Sequence, residues 1–94
     1  MTKAEKAKAI INLARNYELQ RREDAKYARA AHAGAEASHD MWAKDSTQDP
    51  FSHNPYKTSM DNSEAALTKT EKNETDATEI LNFVTDHFLG MLTD

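Results

Sequence analysis

Apolar side chains recur along this chain at helical intervals, and nowhere do they alternate as strands require. At about 100° per residue, Ile10, Leu13, Tyr17, Ala28, Ala31, Ala35 and Trp42 fall on one face of a helix predicted over residues 3–42. Thr2 is placed to cap it, with Glu5 three residues later at the spacing of a capping box. No proline interrupts the stretch, and alanine is abundant from Ala25 to Ala37. Gly34 sits among Ala30, Ala31 and Ala35, so residues 28–35 read as a close crossing with another helix.

Residues 43–60 break the period. Asp49-Pro50, Asn54-Pro55 and several serines supply turn chemistry. Phe51, His53, Tyr56 and Met60 are too apolar or aromatic for a plain tether, so an ordered loop packed on the helices is expected. Helix returns near Asp61–Ser63. Asp61 with Glu64, and Asp76 with Glu79, both have capping-box spacing, which leaves one helix over about 62–92 or two broken near Asn73. Residues 68–79 contain no large apolar side chain and are either solvated or set against a polar layer. Beyond Ala77 the period is clear: Ile80, Leu81, Val84, Phe88, Met91 and Leu92 share a face, while Phe83 and Leu89 lie off it. The expected fold is all-α in a single domain. A long N-terminal helix leads through a proline-containing ordered loop to an antiparallel C-terminal helix or helix pair, as a helical hairpin or bundle.

Composition sharpens this picture. Only 38% of the 94 residues are hydrophobic, and many of those are alanine; mean hydropathy is −0.87. For so small a chain, burial at about 25 cal/mol per Å² comes close to cancelling roughly 1.5 kcal/mol of ordering entropy per residue. There is no cysteine, so no disulfide closes that gap. Homo-oligomerisation is therefore expected, with the off-face Phe83 and Leu89 as a second contact surface. No apolar run reaches the ~20 residues of a membrane span, which together with the lack of cysteine points to a cytoplasmic protein without membrane partners.

Charge is divided unevenly. Residues 1–31 carry eight basic and four acidic side chains, and residues 32–94 carry four basic and twelve acidic, giving the net −4. Lys8, Arg15, Arg22 and Arg29 recur every seven residues, with Lys26 beside them, and form a stripe expected roughly opposite the apolar face. Arginine pairs bidentately with carboxylates and phosphates. A pI near 5.5 argues against nucleic acid, whose binding domains are usually strongly basic. The stripe is therefore read first as solvated or paired with the chain's own acids, next as meeting an acidic protein, and last as meeting a nucleotide or nucleic acid.

Four further constellations carry candidate chemistry. Arg21 and Asp24 lie on the apolar side of the first helix, where a paired polar layer fixes register; Glu71 or Glu74 is the expected partner of Arg21. His32, Glu36 and His39, with Asp40 adjacent, have the Glu-x-x-His spacing of di-iron carboxylate bundles over four residues only. Trp42, Phe51, His53, Tyr56 and Lys57 either pin the loop or form a partner surface. Glu71 and Glu74 repeat the Glu-x-x-Glu spacing of some all-α nucleotide pyrophosphatases, without a second carboxylate pair to face them.

No phosphate loop, cysteine nucleophile or serine elbow is present, and no enzyme, cofactor or metal is expected. The favoured reading is a small acidic helical adaptor or inhibitor that binds a protein partner stoichiometrically. By analogy of size and composition alone, inhibitors carried by phages and mobile elements are of this kind. Arg15, Arg22, Arg29, Lys26, Trp42 and Tyr56 are its candidate contacts. The alternatives are an oligomer binding a small anionic ligand such as a nucleotide, and a metal–carboxylate bundle built on His32, Glu36 and His39.

Overall fold

The computed structural model describes residues 1–45 and 53–92. Helix α1 spans Lys3–Lys44 and helix α2 spans Lys57–Phe88, closed by a 3₁₀ turn at Leu89–Met91. The helices pack on one another as an antiparallel hairpin measuring 71 × 15 × 13 Å, with no strand among the described residues. Thr2 caps α1 as expected, its hydroxyl accepting from the Glu5 N–H at 3.1 Å. The second helix is continuous through Asn73 and starts a turn earlier than the Asp61 signal suggested. The reason lies in the preceding turn. Asn54 Oδ1 accepts from the Tyr56 N–H at 2.9 Å, and the Lys57 N–H donates to the Asn54 carbonyl. Asp61 lies inside the helix and takes the Lys57 ammonium at 3.0 Å.

The contact between the helices is a heptad seam. On α1 the buried and half-buried positions include Ala4, Ala7, Ile11, Ala14, Glu18 and Arg21, then Ala25, Ala28, His32, Ala35, His39 and Trp42. Steps of three and four alternate throughout, the signature of helices that wind around each other. On α2 the same rhythm runs through Met60, Ser63, Leu67, Thr70 and Glu74, then Ala77, Leu81, Val84, Phe88 and Met91. A hydrogen bond of 3.0 Å between His32 Nδ1 and Ser63 Oγ sets the register. Counting heptads from it places Ala28 level with Leu67, Ala14 with Leu81 and Ala7 with Phe88. Alanines of α1 thus face the larger residues of α2.

This seam corrects the face expected for α1. Ala28, Ala35 and Trp42 do lie in it, but Ile10, Leu13, Tyr17 and Ala31 are exposed. The buried apolar residues are Ala7, Ile11, Ala14, Ala25 and Ala77, and among the described residues no large side chain is fully buried. On α2, Ile80 and Leu92 likewise turn outward, whereas Leu81, Val84, Phe88 and Met91 are half-buried. Phe83 and Leu89 are exposed, as their off-face positions implied.

The threonines of the apolar-poor stretch 68–79 satisfy their hydroxyls within the helix. Thr68, Thr70, Thr75 and Thr78 each bond back to the carbonyl four residues earlier. Its inward residues Thr70, Glu74 and Ala77 lie level with Ala25, Arg21 and Glu18, so it faces the polar part of the α1 seam.

Two stability outcomes follow. Gly34 is exposed and a Cβ there would meet nothing, so the close crossing at 28–35 involves Ala28 and Ala35 and leaves Gly34 outside. Gly34→Ala is expected to stabilise the hairpin by about 0.5–1 kcal/mol in urea titration. Ala25, fully buried in the seam, should respond in the opposite sense. Ala25→Leu is expected to cost about 1–3 kcal/mol despite its greater hydrophobicity, because it forces the helices apart.

Candidate protein-binding surfaces

The cation stripe borders the seam instead of lying opposite it. Its partners divide it in two. Arg29 reaches across to α2, with Nε 3.3 Å from Glu71 Oε1 and an Nη 3.4 Å from Glu74 Oε2. Arg22 pairs with Glu18, the one buried charged residue among those described. Both arginines are therefore taken up by the chain's own carboxylates. Lys8 and Arg15 make no ion pair with a described residue. With Ile11, Asn12 and Leu92 they line a notch of about 300 Å³ at the open end of the hairpin. Lys26 is exposed and likewise has no ion pair among the described residues.

Glu71 and Glu74 were expected to serve Arg21, but the geometry assigns them to Arg29. Arg21 instead pairs with Asp24 at 3.4 Å and lies over the Tyr17 ring, 5.2 Å from its centroid. Gln20 Nε2 donates to the same Asp24 carboxylate at 3.2 Å. The Arg21 Nε is buried without a hydrogen-bond partner. Arg21 and Asp24 form the half-buried polar layer that their positions implied, closed within α1.

The histidines are separately engaged. His32 bridges Ser63 and Glu36, the latter at 3.2 Å from Nε2. His39 Nδ1 lies 3.5 Å from Asp40 Oδ1, while its backbone carbonyl accepts from Asn54 Nδ2 at 3.1 Å. His87 stacks on Phe83. Among the described residues no three histidines or carboxylates gather as a metal site would require.

At the closed end, Trp42 and Tyr56 come together with Ser38, Met41 and Asp45 around a second notch of about 250 Å³. Trp42 is half-buried in the seam, and Tyr56 and Met41 are exposed. Of the other residues grouped with them, His53 is exposed and Lys57 pairs with Asp61; Phe51 lies outside the described residues.

The class defined by this geometry is a two-helix antiparallel hairpin with an alanine-rich, coiled-coil-like seam. No protein-family model matches the chain, and neither curated proteins nor solved structures show a significant similarity to it. No helix among the described residues is long and apolar enough to cross a membrane.

The Glu18–Arg22 pair allows a direct test of the seam electrostatics. Arg22→Ala strands a buried carboxylate and is expected to cost about 1–3 kcal/mol by chemical denaturation. Adding Glu18→Met is expected to recover that loss, since an apolar side chain then replaces the stranded charge.

Proposed function

We propose that this protein acts by stoichiometric binding to a protein partner, as a small adaptor or inhibitor, and that it does so as a homo-oligomer. The observation that carries the reading is the notch at the open end. Lys8 and Arg15 stand there without an ion pair to any described residue, while Ile11 and Leu92 offer an apolar floor. A partner segment combining carboxylates with one apolar side chain fits such a surface. Charge complementarity then governs encounter and selectivity, and the apolar group supplies burial. Arg22 and Arg29 contribute indirectly by holding the seam, and Trp42 and Tyr56 offer a second contact region at the other end. The proposed action involves no catalytic step.

A small anionic ligand is the second reading, favoured by the same two cations around about 300 Å³, a volume at the lower end of small-molecule pockets. The test is retention from the natural host by tagged wild-type protein and by the Lys8→Glu, Arg15→Glu double variant, both read by native mass spectrometry. A protein held at fixed stoichiometry by the wild type and lost by the variant, with helicity unchanged, is the expected result. Equal retention by both would refute the notch as the binding site. Material absorbing at 260 nm released on denaturation, with no protein retained, would favour the anionic ligand.

A further inference from the structure

The flank of the hairpin away from Arg29 carries large apolar side chains on both helices. In an antiparallel pair, the positions bordering the seam on one side face each other across it. Arg29 and Glu71 occupy one such side, so Ile10 and Tyr17 share the other with Ile80. Leu13 and Phe83 stand just outside them. These five residues are exposed by 38% (Ile10), 70% (Leu13), 45% (Tyr17), 47% (Ile80) and 71% (Phe83). At ~200 Å² for a large side chain, they leave about 500 Å² of apolar surface open, at the upper end of what a monomer's largest patch reaches. Twice that, about 1,000 Å², reaches the lower bound for a biological interface before the flanking polar residues are counted.

We propose that a second copy of this chain covers this flank, in a twofold four-helix bundle with α1 antiparallel to α1 and α2 antiparallel to α2. It rests on the self-association proposed for the chain and adds the face, symmetry and register. Charge complementarity selects the occupant. Along α1, Lys3, Ile10, Tyr17 and Asp24 recur every seven residues and read cation, apolar, apolar, carboxylate. Laid antiparallel on itself about a point between Leu13 and Ala14, this line sets Lys3 against the partner subunit's Asp24, and Ile10 against the partner subunit's Tyr17. A parallel arrangement would set like charges together. The Asp24 carboxylate, already held by Arg21 and Gln20, keeps lone pairs for a further donor.

The second helix brings a related set into register at steps of four, three and four, with Asp76 also paired to Lys72 of its own helix at 3.5 Å. About a point between Leu81 and Asn82, Asp76 meets the partner subunit's His87, and Ile80 meets the partner subunit's Phe83. A shallow depression beside Asp76, Glu79, Ile80 and Phe83 marks where such a ring would seat. One twofold axis satisfies both helices only if the two centres are level. They are, because the register fixed by His32 and Ser63 places Ala14 beside Leu81.

Sedimentation velocity of the full chain at micromolar concentration is expected to return twice the 10.6 kDa chain mass. Leu13→Glu should return the single-chain mass with unchanged helicity, since Leu13 is exposed in the hairpin. Lys3→Glu should weaken the dimer several-fold. Asp24→Lys also removes the partner of Arg21, so it is read only with helicity and melting unchanged. The double variant should then recover the dimer, because only antiparallel pairing joins the two positions. A folded wild-type monomer would overturn both this proposal and the oligomeric part of the functional reading. A dimer that survives Leu13→Glu and Phe83→Glu, or charge swaps without recovery, would overturn the face and register while leaving self-association intact.

Discussion

Close approach of the two helix backbones is the constraint from which the rest of this hairpin follows. Dispersion between side chains falls away within an ångström of lost contact, and half of the α1 seam positions, Ala4, Ala7, Ala14, Ala25, Ala28 and Ala35, offer only a methyl group. Ala7, Ala14 and Ala25 are buried because α2 comes near enough to cover them. Phe88 and Leu81 fill the positions opposite Ala7 and Ala14, and Thr70 lies opposite Ala25. Where alanine of α1 meets a larger residue of α2, small against large keeps the helices close. Ile10, Leu13 and Tyr17 lie off the three-four repeat that forms the seam and stay exposed. The exposed apolar flank is thus the counterpart of the alanine seam.

Polar groups set the register of that seam. An alanine repeat is nearly indifferent to a shift of one heptad, so few apolar contacts distinguish the correct pairing from its neighbours. His32 with Ser63, and Arg29 with Glu71 and Glu74, do distinguish it. The Arg29 ion pairs, open to solvent, contribute only about 0.2–1 kcal/mol each to stability. Their greater effect is specificity, because a slipped register would break several at once. The division of charge between a basic beginning and an acidic remainder follows the same logic: it gives α1 and α2 opposite signs where they meet.

Much of the architecture was legible from local chemistry. The Thr2 cap, the uninterrupted run to Trp42 and the turn signals around Asn54-Pro55 located the ends of α1 and the start of α2 to within a few residues. The Arg21–Asp24 layer and the exposed Phe83 and Leu89 followed from helical position alone. The inward face of α1 was harder to read. Weighting by size selects Ile10, Leu13 and Tyr17, but the buried line is the one that alternates by three and four through Ala7, Ala14, Ala25 and Ala28. Alanine carries too little area to reveal a face through hydrophobicity, and Glu18, Arg21, His32 and His39 interrupt its line with polar groups. Asking which line persists without a break over forty residues would have found it. The notch between Lys8, Arg15 and Leu92 depends on how far α2 runs back along α1, which no local pattern records.

The length of the rod has a consequence of its own. Arg15 and Trp42 are separated by 27 residues of a single helix, about 40 Å at 1.5 Å per residue. A small globular domain is only about 30 Å across. One such body seated at the Lys8–Arg15 notch therefore leaves the Trp42–Tyr56 notch uncovered, and the two ends are free to be occupied at the same time by different bodies. The hairpin works in that case as a spacer of fixed length, holding two molecules apart by the span of its alanine seam.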